Sequence, residues 1–381
     1  MITKFVMPEV IFGDYSLKQV GESCIRLGAQ KVLIVTDTGV IRAGWVEHVI
    51  ESCQEAGLSY VCFDDISTNP KAEQAERGTA VYRENQCDAI IGVGGGSVID
   101  IAKAIAILAT NGGRISDYEG VDRIDIPLPP LVMAGTTAGS GAEVSQFSVI
   151  VDSERMKKMT IISKSLVPDI AIIDPITLST KSSHLTASTG LDVLTHAIEA
   201  YVSIAATQMT DVFAKNAIAL VSNNLRPSTA SQLNAKAKNN MAMASLHAGL
   251  AFSNAILGAV HAISHAIGGR YPMMHGDLNA VLLPHVMEFN LLANPTRFKE
   301  IAELLGENIT GLSTMEAGQK GIEHIKQLSF DIGAPQRLSE MGFEEHMIKE
   351  ISQIALQDAC MITNPRDITA QDVEGILQKA L

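Results

Sequence analysis

Short apolar runs closed by turn residues alternate with helical periods in the first half of the chain. Val32-Leu33-Ile34-Val35 is a β-branched and aliphatic run of the kind that fills a parallel strand buried on both faces, and it ends in Thr36-Asp37-Thr38-Gly39. A helix is predicted through Val46 to Ala56, a strand over Tyr60–Phe63, a turn at Thr68-Asn69-Pro70 and a helix from about Ala72 to Glu84. Ala89–Val93 reads as the next strand. It runs into Gly94-Gly95-Gly96-Ser97 and then into a helix over Val98–Ala106. Pro130–Ala134 is a further strand, opening onto the loop Gly135 to Val144. The runs Phe147–Val151 and Met159–Ile162 alternate like a hairpin with Asp152 to Lys158 as its turn, and Ile170–Ile173 with Asp174-Pro175 is a last strand and its stop. Such alternation is what right-handed βαβ crossovers need, so this half is expected to be an α/β sheet.

After Leu178 the strand-like runs give way to long helical ones, rich in Ala, Leu, Met, Asn and Glu. The segment Thr180-Lys181-Ser182-Ser183 is the expected boundary, which gives one domain over residues 1–180 and a helical one over 181–381. The most apolar long stretch, Ala248 to Gly269, contains Asn254, His261 and His265. It is expected to be a buried helix of a large core rather than a membrane span.

Charge narrows the partners. With 29 basic and 42 acidic residues the formal charge is −13, which argues against nucleic acid. It leaves room for an anionic cofactor, because a local glycine loop can outvote the global charge. The five cysteines (Cys24, Cys53, Cys62, Cys87, Cys360) are scattered, without a Cys-x-x-Cys pair. That fits a reducing cytosol and excludes a cysteine zinc knuckle. The first residues show no apolar signal-peptide core, so a cytoplasmic protein is expected.

Candidate chemistry sits in two places. Gly92-Val93-Gly94-Gly95-Gly96-Ser97 lies between a predicted strand and helix, where glycines let backbone N–H groups approach a phosphate and the helix N-terminus adds positive charge. The spacing is Gly-x-Gly-x-x-Ser, so the usual third glycine of a dinucleotide fingerprint is missing, as is the Lys-Ser/Thr of a P-loop. Asp37, at the end of a parallel strand, could accept from a ribose diol and repel a 2′-phosphate, favouring NAD over NADP; an Asx-turn is the plainer reading. Gly135-Thr136-Thr137-Ala138-Gly139-Ser140-Gly141 is a second donor-rich loop. It is no hydrolase elbow, because Ser140 has Ala138 and Ala142 at the outer positions.

The second place is helical. Asp192 and His196 stand four apart in a run free of proline, so they share one helix face and could hold a divalent cation. His261 and His265 are also four apart, and spacing nominates them as a second ligand pair. The chain then breaks at Gly268-Gly269, and His275 reads as a capping or loop histidine. His247 and His285 read as structural.

The chain resembles the iron-containing, or group III, alcohol dehydrogenases over essentially its whole length. The resemblance is carried by Gly94-Gly95-Gly96-Ser97 with Asp100 and Ala102-Lys103, by Gly135 through Glu143, by Pro168-Asp169 and Asp174-Pro175, and by Thr189-Gly190-Leu191-Asp192 with His196 through Ala200. His261 through His275-Gly276, Asp358-Ala359-Cys360 and Thr363-Asn364-Pro365-Arg366 complete it. It implies a dehydroquinate synthase-like fold: an N-terminal Rossmann-like parallel-sheet nucleotide-binding domain and a C-terminal all-helical metal-binding domain, with the site in the cleft between them. Carried over by position, the metal ligands are Asp192, His196, His261 and His275, so the resemblance replaces His265 by His275. His265 is then a histidine near substrate and nicotinamide, a proton-relay group. The implied cofactor contacts are Asp37, Asn69, Gly95, Gly96, Ser97, Thr136, Thr137, Phe147, Lys158 and Leu178. The chain departs from the family at Lys181-Ser182, where Leu-Pro is usual.

The implied activity is NAD-linked interconversion of primary alcohols or short diols and aldehydes, with the substrate oxygen on Fe2+. Zn2+, Ni2+, Co2+ or Mn2+ would also suit three imidazoles and a carboxylate. A homodimer or higher homo-oligomer is implied as well. The competing readings are a polyol or glycerol dehydrogenase, which His196 disfavours; a maleylacetate-type reductase, which needs a more basic pocket; and a non-catalytic metal- or nucleotide-binding module. Phe252 and the surroundings of Cys360 are the expected pocket side chains.

Overall fold

The fold is given by a computed structural model that describes residues 4–381. The chain falls into two compact units, one of residues 6–180 and one of residues 181–381 together with Lys4 and Phe5.

The first unit is built on a six-stranded sheet whose order is β1 (Glu9–Phe12), β9 (Ile170–Ile173), β6 (Leu131–Gly135), β4 (Ala89–Gly94), β2 (Lys31–Val35) and β3 (Ser59–Phe63). Every pair in it is parallel. Helices α1 (Val20–Arg26), α2 (Thr38–Arg42), α3 (Trp45–Glu55), α4 (Ala72–Glu84) and α5 (Gly96–Asn111) make the crossovers. The apolar strand runs are explained by burial on both faces. Leu33 and Val35 join one core with Ile90 and the α5 residues Ile101 and Ile105. Val32 and Ile34 join the other with Ile91, Val93, Val132 and Ile172. Each such side chain contributes about 2 kcal/mol through burial. From β2 the chain steps outward to β3, then crosses back to β4 and on to β6, so the topological switch lies between β2 and β4.

A second, three-stranded sheet holds β5 (Gly120–Val121), β8 (Lys157–Ile162) and β7 (Phe147–Asp152). The β7–β8 hairpin is longer than its alternation suggests, since Asp152 and Lys157 pair at its end. Asp152 is there because its carboxylate accepts from the backbone N–H groups of Glu154 and Arg155 and pairs with the Arg155 guanidinium, which closes the turn. Strands β1 and β5 are absent from the sequence reading. β1 is a four-residue edge strand whose first residue is exposed, and β5 is two residues long; neither carries enough apolar pattern to announce itself.

The second unit is helical: α6 (Ser183–Val202), α7 (Gln208–Ala230), α8 (Ala235–Ala255), α9 (Ala259–Arg270), α10 (His275–Asn290), α11 (Pro295–Leu304), α12 (Thr314–Asp331), α13 (Ile348–Ala355) and α14 (Ala370–Ala380). α6 starts where Ser182 accepts from the Leu185 N–H, a regular N-cap. The single buried helix expected over Ala248–Gly269 is instead two. The chain turns by 97° between α8 and α9. Ile256 adopts φ +61° and Gly258 is the extended N-cap of α9, so the helical hydrogen-bond ladder stops between them. Among the described residues no single helix is long and apolar enough to cross a membrane.

Candidate metal centre and cofactor loops

Asp192, His196 and Glu199 recur on α6 at i, i+4 and i+7, which places them on one face. All three are buried. His261 enters from the first turn of α9 and His275 is the first residue of α10. Around Asp192 Oδ1 stand His261 Nε2 at 3.6 Å, His196 Nε2 at 3.9 Å and His275 Nε2 at 3.9 Å. Bonds of about 2.1 Å at tetrahedral angles put donor atoms about 3.4 Å apart. The separations from Asp192 Oδ1 are therefore a few tenths of an ångström longer than those within a tetrahedral ligand set. Asp192, His261 and His275 form a group whose donor atoms all lie within 4.8 Å of one another, and the expected ligand His196 is not part of that group. His196 stacks on His261, with ring centroids 4.5 Å apart.

The far sides of the rings decide which nitrogens face inward. His261 Nδ1 lies 2.5 Å from Glu199 Oε2, so it donates there and turns Nε2 toward Asp192. Glu199 is held in turn, because its Oε1 accepts from the Val260 N–H at 2.7 Å. A Cβ on Gly258 would meet that same oxygen at 2.9 Å, so glycine is what lets Glu199 reach α9. His275 Nδ1 is 3.3 Å from Ser264 Oγ, whose own proton goes to the His261 carbonyl. Asn279, one turn after His275 and fully buried, donates from Nδ2 to Asp192 Oδ1 at 2.7 Å. The same nitrogen is 3.2 Å from both His261 Nε2 and His275 Nε2. Its Oδ1 is buried without a partner. Asp192, His261 and His275, with the His196 ring beside them and backed by a carboxylate, a hydroxyl and an amide, fit a divalent first-row ion.

Electrostatics agree with a cation-seeking cluster. Burial works against charge on Asp192, yet His196, His261 and His275 outweigh it and hold the carboxyl far below the usual carboxylate range. Burial also opposes charge on His261, but Glu199 and Asp192 prevail and push it up to about 9.

His265 is one turn along α9 and takes a different partner. Its Nδ1 is 3.0 Å from Asp358 Oδ2, and Asp358 Oδ1 accepts from the Cys360 N–H at 2.8 Å. His265 stacks on His275, with centroids 5.3 Å apart, so it borders the ligand cluster while its own carboxylate lies outside it. Burial opposes the Asp358 charge, but His265 overcomes it and lowers the carboxyl. Burial drives the Cys360 thiol well above the ordinary range. Phe252 stacks on His196 at 4.5 Å. His247 pairs with Asn216 and stands edge-on to Phe213, away from this cluster.

In the first unit eight of the ten expected cofactor contacts follow the carboxyl ends of parallel strands. Asp37 follows β2, Asn69 follows β3, Gly95 to Ser97 follow β4, Thr136 and Thr137 follow β6, and Leu178 follows β9. Asp37 caps α2, its Oδ1 accepting from the N–H groups of Gly39 and Val40. Ser97 Oγ donates to the Thr68 carbonyl at 2.7 Å, tying the glycine loop to the turn that holds Asn69. The two glycine-rich loops touch. The Thr136 N–H donates to the Gly94 carbonyl, and a Cβ on Gly96 would strike Ser140 at 2.9 Å. Thr136 Oγ1 is buried without a partner. Phe147 opens β7 and is buried, and Lys158 lies on β8. Glycines at the switch point, a helix N-terminus and an orphaned hydroxyl fit a dinucleotide.

Sequence reasoning passed over Glu199, Asn279 and the role of Asp358. The first two had a signal: Glu199 extends the Asp192–His196 face by one turn, and Asn279 follows His275 by four. Asp358 is 93 residues from His265 and had none.

Known proteins give this geometry its context. Residues 8–175 match the family model described as iron-containing alcohol dehydrogenase, and residues 186–381 match that of the Fe-containing alcohol dehydrogenase family, C-terminal. The chain is 45% identical over 379 residues to a 1,3-propanediol dehydrogenase of Klebsiella pneumoniae, covering 99% of this chain and 98% of that one. It is 42% identical over 381 residues to an NAD-dependent methanol dehydrogenase of Bacillus methanolicus, with both chains covered in full. The solved structure of a 1,3-propanediol oxidoreductase superposes with a TM-score of 0.98 at 44% identity, again over 100% of both chains. The chain belongs to the iron-containing alcohol dehydrogenase family and is an NAD-dependent oxidoreductase that interconverts alcohols and aldehydes.

Proposed function

We propose that the substrate is a small primary alcohol or short diol and its aldehyde, and that Asp192, His196, His261 and His275 hold the family's Fe2+. The observation that carries this is the convergence of three imidazole Nε2 atoms on Asp192 Oδ1. The names of relatives that act on 1,3-propanediol and methanol support a small substrate. In this reading residues 6–180 bind NAD through Asp37, Asn69, Gly95, Gly96, Ser97, Thr136, Thr137, Phe147, Lys158 and Leu178, and residues 181–381 carry the metal.

When bound, the ion supplies Lewis acidity toward the substrate oxygen and NAD accepts or returns the hydride. The chain's own residues do the rest. Glu199 and Ser264 fix the ring tautomers that point lone pairs inward. His265 keeps its Nδ1 proton on Asp358, which leaves Nε2 to take up or deliver the proton of the alcohol. Phe252 and the buried ring cluster limit water. We read the protein as a cytoplasmic homodimer or larger homo-oligomer without nucleic-acid or membrane partners. Its charge of −13 speaks against a nucleic-acid partner and its five free cysteines for a reducing compartment.

The test is NADH formation after Fe2+ reconstitution, with 1,2-propanediol, 1,3-propanediol, ethanol and butanol, on a preparation analysed for metal. No rate with any alcohol or aldehyde would overturn the substrate reading. A His261→Ala variant with normal metal content would overturn the ligand assignment.

A further inference from the structure

Beside the proposed iron ligands, and sharing none of them, lies a second group of donors with a different chemistry. His265 on α9, and Asp358 and Cys360 on the segment after α13, offer a ring nitrogen, a carboxylate oxygen and a sulfur that all lie within 4.8 Å of one another. His265 Nδ1 stands 3.0 Å from Asp358 Oδ2, and Asp358 Oδ1 accepts from the Cys360 N–H at 2.8 Å. The Cys360 thiol donates to the same carboxylate. Cys360 is fully buried and His265 is buried, while the Asp358 side chain, 11% exposed, has the most solvent contact of the three and opens the group to the surface.

A ring N–H and an S–H thus converge on one carboxylate, and their protons stand where a metal ion would. Bonds of about 2.3 Å to sulfur and about 2.1 Å to nitrogen and oxygen, at tetrahedral angles, set the sulfur about 3.6 Å from the other two donors and those about 3.4 Å apart. From the present positions the His265–Asp358 pair widens by about 0.4 Å and the sulfur closes by about 1.2 Å at most, which rotation about side-chain bonds covers. Burial holds the thiol well above its ordinary range because it opposes a bare thiolate. A bound cation removes that opposition and takes the place of the proton. One thiolate and one carboxylate neutralise a divalent ion, and the imidazole adds no charge, so no net charge is buried. Thiolate, imidazole and carboxylate with a fourth position open are a donor set for Zn2+, whereas the cluster around Asp192 contains no sulfur.

We propose that His265, Asp358 and Cys360 form a second metal site, selective for a thiophilic divalent ion with the chemistry of Zn2+, and that its occupation stops alcohol oxidation. The inhibitory half rests on the role given to His265 under the proposed function. Binding through Nδ1 and Sγ releases the thiol proton and leaves the single imidazole proton on Nε2; no electron moves. Nε2 is then a donor and cannot accept the proton of the alcohol. The ion therefore inhibits without displacing the one on Asp192.

The experiment adds Co2+, which takes the geometries of zinc and absorbs in the near ultraviolet when a thiolate ligates it, to the metal-free full-length protein and to its Cys360→Ser, Asp358→Asn and His261→Ala variants. The parent is expected to bind one ion without the thiolate band and a further ion that brings it. Cys360→Ser, close in shape but without the thiolate, keeps the first ion and loses the band. His261→Ala keeps the band. Asp358→Asn binds the band-producing ion at least about tenfold more weakly, the cost of losing even a partner behind a ligand, and carries the test if Cys360→Ser does not fold. Added Zn2+ should also suppress NADH formation by the Fe2+-loaded parent with its iron retained, and leave Cys360→Ser, read against its own zinc-free rate, unaffected. No thiolate band in the parent, or a band that survives Cys360→Ser, overturns the second site. Zinc inhibition that releases the iron overturns the inhibitory role. A thiolate band without any band-free ion supports the second site and sinks the iron-ligand reading instead.

Discussion

Glu199→Gln should separate the assembly of the metal site from its stability. The glutamine keeps the shape of the side chain, and its Oε1 can still accept from the Val260 N–H, now 2.7 Å from Glu199 Oε1. Its Nε2 then faces His261 Nδ1, where Glu199 Oε2 stands at 2.5 Å. Two donors cannot share that gap. The imidazole must move its proton to Nε2, the atom 3.6 Å from Asp192 Oδ1, or turn away. Either response takes the lone pair from the ion. A hydrogen bond to a charged group is worth about 1.5–3 kcal/mol. Loss of an outer partner of a ligating histidine costs about 10- to 100-fold in metal affinity, or about 1.4–2.8 kcal/mol, so the two estimates meet. The assay is competition between metal-free protein and a chromogenic chelator, with thermal unfolding measured beside it. Glu199→Gln should bind metal at least about tenfold more weakly while melting near the parent temperature. Glu199→Ala, which strands the Val260 and His261 N–H groups in the core, should lose stability as well. Parent-like affinity in Glu199→Gln would refute the tautomer argument.

Asn279→Ala removes the 2.7 Å donor to Asp192 Oδ1 and should lower metal affinity by about tenfold; equal affinity by the same chelator assay would show that the amide does not orient the carboxylate. With the His261 pKa at about 9 in the metal-free protein, a proton competes with the ion at pH 7. Affinity should therefore rise with pH, about tenfold per unit, until the pH passes the histidine pKa, with about one proton released per ion by calorimetry; no proton release refutes this. In Gly276→Ala the new Cβ would lie 2.4 Å from the Ser188 carbonyl oxygen, one turn before Asp192 on α6. The overpacking should cost about 1–3 kcal/mol of stability and, by pushing the start of α10 from α6, weaken metal binding as well; a parent-like melting temperature would refute it.

What could be read from the sequence follows from burial. Strands β2, β4, β6 and β9 are filled on both faces, and their aliphatic runs mark them; β3, an edge strand with Ser59 and Cys62 exposed, is marked by the short run Tyr60–Phe63 alone. β1 sits at the sheet edge with an exposed glutamate, so its pattern is too weak to be told from a loop. The α8–α9 break was hidden because Ile256 carries the left-handed turn, a residue type that gives no warning of it. Glu199 and Lys103 were both visible as residues but not as partners. Glu199 meets α9 62 positions later, and the buried Lys103 ammonium on α5 donates to the carbonyls of Ala142, Ser145 and Phe147, 39 to 44 positions later. Helical spacing reports only neighbours within one helix, so a tie across elements leaves no local trace.

The same limit explains the histidines. Spacing nominates His261 with His265 because they share a face of α9, and the two rings are indeed neighbours, 5.9 Å apart. A face, however, says nothing about which nitrogen is free. His265 has its Nδ1 on Asp358, and its ring stacks on His275 beside the cluster. His275 follows a turn at residues 271–274 that folds α10 back, and its Nε2 comes to 3.9 Å from Asp192 Oδ1. Membership of the donor group is thus decided by where the far-side partner holds each ring: Glu199 behind His261 and Ser264 behind His275 leave their Nε2 atoms beside Asp192 Oδ1, whereas Asp358 ties the His265 ring to the segment at Cys360. The chain can therefore space two histidines alike on one helix and give them different chemistry through partners supplied from elsewhere.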